Sequence, residues 1–395
     1  MRPVGNYSRA DVRSYGAQLD FVLLALVLAV LLLGLVMVTS ASITTAAQEG
    51  HPLIYLWRDL SLVGVGACVA ALLFLLPTQH LERMAPVLVM VAGALLLLVL
   101  IPGIGRVVNG SRRWLALPGF GLQVSELARL LVMIYIASYA VRREEVLRSR
   151  ELRDSLRGLA LPLILLVVLA GLLLKEPDFG AATVLVVTGF GVLFLAGARV
   201  GWVLLLFAAL AGLGALAVLI APYRMRRMVG FLHPWDDPFN SGFQLTQSLI
   251  AVGRGGWFGV GLGASVQKLF YLPEAHTDFL FAVLAEELGL VGVVCTLALF
   301  LALVWRAFVI ARRAYDAGMR FQSYVVAGFG LWLGVQTCIN IGVNMGALPT
   351  KGLTLPLMSY GRSSLIVALA WLGIVFRVNH EVVCRTLKNE RERVA

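Results

Sequence analysis

Between Phe21 and Val38 the chain reads FVLLALVLAVLLLGLVMV, without one charged or hydrogen-bonding side chain. A helix that is apolar on every side has no polar face for water, so protein or lipid must enclose it. The pattern recurs. A bilayer core about 30 Å thick is crossed by roughly 20 mostly apolar residues. Such stretches fall at 20–41, 54–76, 85–102, 124–141, 159–174, 181–198, 201–221, 279–305, 323–345 and 356–376. Only 14% of the residues are charged and 59% are hydrophobic, against about 25% charged in a soluble domain. That excludes an ordinary soluble enzyme and excludes disorder. The expectation is an all-α, polytopic integral membrane protein of ten transmembrane helices, with a long extracytoplasmic loop between spans 7 and 8. It divides into an N-terminal tail (1–19), one membrane domain (20–376) and a C-terminal tail (377–395).

Charge sets the orientation. With the N-terminus inside, the inner segments hold about twice as many Lys and Arg as the outer ones, which places both tails in the cytoplasm. The net charge of +11 is thereby absorbed by topology, and no nucleic-acid partner is expected. Cys68, Cys295, Cys338 and Cys384 are scattered, which points to neither a disulfide framework nor a zinc site. The inner loops are bland, as in RREEVLRSRELRDSLRG. The outer ones are not: NGSRRWLALPGFGLQ, KEPDFG, the stretch from Tyr223 to Thr277, and ALPTKGLTLP are rich in Gly, Pro, Trp and single charges. Long ordered loops of this kind are usually functional, so the chemistry is expected on the outer face.

Cations that topology does not demand stand there: Arg112, Arg113, Arg254, Lys268 and Lys351. They suit a lipid phosphate or pyrophosphate as well as ordinary headgroups. The run GRGGWFGVGLG matches no nucleotide-binding fingerprint, because no strand precedes it and no G-K-[ST] closes it. Among the outer acids, Asp178 reads as a helix cap and Asp236 and Asp237 as turn formers. Asp278 differs, because it lies beside His276 and Thr277 where a glycine-rich loop meets an apolar span. It reads as either an N-cap or a desolvated proton acceptor. Within the spans, Glu126 and Arg129 can pair at i,i+3. They and Glu286 and Glu287 either line a substrate groove or pin helices together.

The segments NGSRRWLALPGFGLQVSELARL (109–130), PDFG (177–180), 242–292 with its PEAHTDF, and NIGVNMGALPTKGLTLPLMSYGRSSL (340–365) are together recognisable. The chain resembles the SEDS family (shape, elongation, division and sporulation proteins), and its P-T-K-G-L-T-L-P is similar to the division branch. Val124, Arg129 and Arg362 stand where that family commonly has Pro, Lys and Gly. The resemblance implies a peptidoglycan glycosyltransferase that polymerises lipid II on the outer face of the cytoplasmic membrane. Its expected partners are a class B penicillin-binding transpeptidase and divisome activators. It also implies that Asp278, the aspartate of T-D-F, is the catalytic residue. For lipid II or its pyrophosphate the candidate contacts are Lys351 and Arg254, then Lys268, Arg112, Arg129, Gln123, Glu126 and His276. A divalent cation (Mg or Mn) is a candidate cofactor, and no organic cofactor is expected. Two other readings stand beside this one, a lipid II flippase and a non-catalytic division scaffold.

Overall fold

A computed structural model describes residues 18–394, apart from 109, 118–119, 150, 203–204, 206–207, 210–211, 213–229, 241 and 270. Eight of its helices are long and apolar enough to cross a membrane: α1 (Phe21–Gln48), α2 (Ile54–Leu75), α3 (Thr78–Leu100), α4 (Val124–Arg142), α6 (Leu152–Lys175), α9 (Leu280–Asp316), α10 (Arg320–Asn344) and α11 (Arg362–Val394). The shorter apolar α7 (Phe179–Leu195) is a ninth, α5 (Glu144–Leu147) is a single turn, and α8 (Phe243–Gly255) lies in the long loop. The predicted span 201–221 and most of the 1–19 tail lie outside the described residues.

Several boundaries differ from the expected ones, α1 running on to Gln48 and α6 beginning already at Leu152. α3 starts at Thr78 and carries Pro86 internally, α9 continues to Asp316, and α11 runs unbroken through the predicted tail to Val394. The last begins only at Arg362, after non-helical 356–361. Apolar counting stops at the first charges, whereas backbone hydrogen bonding does not.

A segment expected as an outer loop is a small antiparallel sheet, β1 (Gly105–Val108), β2 (Ser111–Leu117) and β3 (Phe120–Gln123), in the order β1-β2-β3. Arg106 faces Trp114, and Trp114 faces Gln123 across the other ladder. Its Val, Trp, Leu and Phe residues favour strands, but the run is too short and too broken by Gly to register in a search for spans.

α11 packs along α2, α9 along α10, and α3 against α4. α4, α10 and α11 are buried on most sides, whereas α2, α3 and α6 turn residues such as Leu72, Met90 and Ile164 outward, as helices facing lipid do. At the centre Trp332 stacks on Trp371 at 5.4 Å, with Phe329 against both.

Contacts sort the loops into two ends. At one, Arg306 pairs with Asp20, Arg148 with Tyr315, and Thr78 with Glu381, while Gln18 N–H donates to His380 Nδ1 at 3.2 Å. All of these but Asp20, the first residue of the first predicted span, belong to predicted inner segments. At the other end Arg113 reaches Glu176, Gln123 N–H reaches Ser363, and Tyr360 N–H reaches the His276 carbonyl. The peculiar loops therefore share one end of the bundle.

Candidate active site

Asp278 stands in the loop that enters α9, two residues before its first helical residue, Leu280. Capping of that helix is done by another residue. Asn344 Oδ1, at the end of α10, accepts the Ala282 N–H at 3.1 Å, and the N-cap position, Phe279, has no side-chain bond. Asp278 is held through its main chain, whose carbonyl accepts from Asn340 Nδ2 at 2.9 Å and Asn344 Nδ2 at 3.0 Å. Its carboxylate instead faces the Lys351 loop, where a Cβ on Gly352 would lie 3.3 Å from Oδ2.

Beside it, β2 delivers Arg113. The guanidinium donates to the Glu176 carbonyl at 3.1 Å and to that of Pro177, and lies 4.0 Å from Asp178 Oδ2. Asp178 is the cap that the sequence indicates, its Oδ1 accepting Ala181 N–H at 3.0 Å, while Ser125 Oγ donates to Oδ2 at 3.2 Å. Lys351 Nζ sits over the Phe179 ring at 4.6 Å. His276 is wedged between Tyr55 and Tyr360, with ring centroids 5.1 and 5.7 Å away.

Burial governs the electrostatics of this end. Burial above all, with Glu274 and Asp178 adding to it and Arg113 opposing, pushes the Asp278 carboxyl up to about 7. It also lowers the pKa of Lys351 and of His276, the latter opposed by Glu274. Glu176 is the extreme case: it is fully buried, neither carboxyl oxygen has a hydrogen-bond partner, and its pKa rises to about 8 through burial and then Asp178. A carboxyl raised in the folded state stabilises it fully below the unfolded value of about 4.3 and loses that contribution as pH climbs to the folded value. The melting temperature of the native protein should therefore fall between pH 5 and 9 more than that of Glu176→Gln. Parallel curves would remove Glu176 from this account.

The chemical capability is specific. A carboxylate poised near neutrality, free of capping duty, suits proton abstraction from a hydroxyl. A desolvated lysine on the loop that faces it suits an anionic oxygen. The family model described as "Cell cycle protein" (FtsW/RodA/SpoVE) matches residues 20–383. The chain belongs to the FtsW/RodA/SpoVE family. It is 53% identical to the protein named probable peptidoglycan glycosyltransferase FtsW of Thioalkalivibrio sulfidiphilus, over 93% of this chain and 90% of that one. The protein of the same name from Nitrosococcus halophilus is 51% identical over 95% of each. Among solved structures, one described as "Structural coordination of polymerization and crosslinking by a peptidoglycan synthase complex" superposes with a TM-score of 0.74 at 35% identity, covering 92% of this chain and 98% of that one. The rod shape determining protein RodA of Thermus thermophilus gives 0.68 at 33% identity, covering 93% and 98%.

In this family member, not all sequence candidates reach Asp278. Lys351 and His276 belong to the loops around it, and Gln123 ends β3 where the chain enters α4, its N–H bonded to Ser363 Oγ at 2.8 Å. Arg254 ends α8 and contacts Glu286 at 3.4 Å, with its side chain 45% exposed and open to a ligand. Three cations are corrected to structural roles. Arg112 donates to the Leu100 carbonyl at 3.0 Å, closing the end of α3. Arg129 is buried between Glu126, at 3.0 Å, and Gln336, with Trp332 beneath it. That places Glu126 in a helix-pinning pair too.

Lys268 is the third. Its ammonium is buried against Glu287 Oε1 at 2.9 Å, the Gly263 carbonyl at 2.7 Å and Ser40 Oγ at 3.1 Å, which occupies all three N–H bonds. The reason lies in the glycine-rich loop. α9 breaks at Gly289 (φ 65°, ψ −164°), and the chain at 256–261 pairs with the exposed backbone there. Val260 N–H reaches Glu286 O at 2.9 Å, and Leu290 N–H reaches Gly256 O at 2.9 Å. A Cβ on Gly259 or Gly289 would overlap the partner backbone, and both have positive φ. The glycines serve this close approach. Glu286 and Glu287 then turn inward to bind Ser265, Val266 N–H and Lys268.

Sequence reading left Asn340, Asn344 and Glu176 out of the site. The asparagines carried a signal, because amides four residues apart in an apolar span share one face.

Proposed function

We propose that this chain is a peptidoglycan glycosyltransferase that polymerises lipid II at the outer face of the inner membrane during septum formation. The observation that carries the reading is Asp278, a desolvated carboxylate released from capping and facing the Lys351 loop. The names of relatives about 50% identical over nearly the whole chain support the reaction class.

Asp278 takes the proton of the acceptor sugar's 4-hydroxyl as that oxygen attacks the anomeric carbon of a second lipid-linked sugar. The C–O bond to polyprenyl pyrophosphate breaks, and the leaving group takes the electron pair. Lys351 and Arg254 meet its negative charge. One general base with no separate nucleophile fits a single inverting displacement. Lys351 and Arg254 would share the leaving-group charge with a divalent cation such as Mg or Mn. The partner in this reading is a class B penicillin-binding transpeptidase, with divisome activators upstream. Against the flippase alternative, Glu126, Arg129, Glu286 and Glu287 are engaged in internal pairs.

Purified protein with its transpeptidase, reconstituted in liposomes with lipid II, tests this by scoring polymer and translocation separately. Polymer without translocation is the expected result, and translocation alone defeats the reading. Lys351→Ala should lower polymer yield about ten-fold or more while leaving thermal unfolding within a few degrees, since among the described residues its ammonium meets one ring face and no ion pair. An equal loss of folded protein would make Lys351 structural.

A further inference from the structure

One face of α10 carries Gln336, Asn340 and Asn344, each four residues from the next and each buried. Their amide N–H groups go to main-chain carbonyls of the two loops that bear the candidate groups. Gln336 Nε2 donates to Thr354 O at 2.9 Å. Asn340 Nδ2 donates to both Leu353 O, at 2.6 Å, and Asp278 O, at 2.9 Å. Asn344 Nδ2 donates to Asp278 O at 3.0 Å and to Asn340 O at 2.8 Å, while its Oδ1 caps α9. One amide of Asn340 thus staples the Asp278 loop to the Lys351 loop.

As helix glue the ladder is weak, because side-chain hydrogen bonds between membrane helices contribute little each. As a positioning device it is strong, because a misplacement of about 1 Å at a reacting centre costs roughly 10²-fold in rate. Among the described residues the Asp278 carboxylate has no hydrogen bond or ion pair, so its aim depends on where its backbone is held, and these amides are the side chains that bond its own carbonyl. We propose that Asn340 and Asn344 are positioning residues that hold the Asp278 carboxylate and the Lys351 loop in reacting register. This rests on the reading of Asp278 as the general base.

The test uses the full chain with its transpeptidase in liposomes with lipid II, measuring kcat, KM, the pH midpoint of kcat, and thermal unfolding. Asn340→Leu is close in size and deletes both donors. Asn344→Asp keeps an acceptor for Ala282 N–H and exchanges the donor for an acceptor, so it decides the matter should Asn340→Leu fail to fold. Each folded variant should lose about 10–100-fold in kcat with KM within about two-fold. The pH midpoint should move away from about 7 as the carboxyl leaves its desolvated place. Wild-type kcat and midpoint in either folded variant overturn the proposal, as does a loss of activity that only tracks the loss of folded protein. Asp278→Asn, run alongside, separates the two layers. Near-normal polymer there removes the base itself, whereas its inactivity beside intact asparagine variants removes only the staple.

Discussion

Asp278→Asn should leave the protein folded and able to bind its transpeptidase while polymer formation falls by roughly 10²–10⁴-fold, the usual worth of a positioned general base. The substitution is nearly isosteric; it removes the capacity to accept a proton and the negative charge, and puts an N–H donor in place of one oxygen. Capping cannot confuse the outcome, because Asn344 caps α9 and Asp278 does not. Stability should hold or rise slightly, since a neutral amide replaces a carboxyl that burial already disfavours ionising. The rate of the native protein should rise with pH through about 7, where Asp278 loses its proton, and the residual rate of Asp278→Asn should lack that limb. The measurement is lipid II polymerisation across pH 5–9 beside thermal unfolding. Near-wild-type polymer from the Asn variant would sink the assignment.

Much of this molecule was legible because a bilayer imposes a simple length rule. An uninterrupted apolar stretch announced α1, and charge counting grouped the segments as the contacts group them, Arg148 with Tyr315 and Arg113 with Glu176. Legibility ended where adjacent residues have opposite fates. Arg112 and Arg113 are equal as sequence, yet neighbours on a strand point to opposite faces. One closes α3 and the other reaches the Glu176–Asp178 turn. The glycine run GRGGWFGVGLG could not be understood alone, since its meaning is a partner 30 residues away, the break at Gly289. The staple of Asn340 is hidden for the same reason: both of its acceptors are main-chain carbonyls, which leave no trace in side-chain identity.

Lys268 is where sequence and structure disagree most sharply, and one substitution separates them. A phosphate-binding lysine replaced by Met gives a folded protein with a raised KM. The structure requires a different result. Glu287 is fully buried, and Lys268 is its only ion-pair partner among the described residues. Removing one member of a buried pair costs about 3–5 kcal/mol because the other charge stays desolvated. Against a typical total of about 5–15 kcal/mol, that should remove much of the folded population. Ser40 Oγ and Ser265 N–H still bond the carboxylate, which favours the lower part of the range. The decisive control is Lys268→Met combined with Glu287→Gln. Neutralising the orphaned charge should recover folded yield and thermal stability, because the two effects are coupled and not additive. Recovery of folding together with polymerisation would leave Lys268 no role at the pyrophosphate. A folded Lys268→Met single variant, impaired only in KM and not helped by Glu287→Gln, would return it to the substrate site.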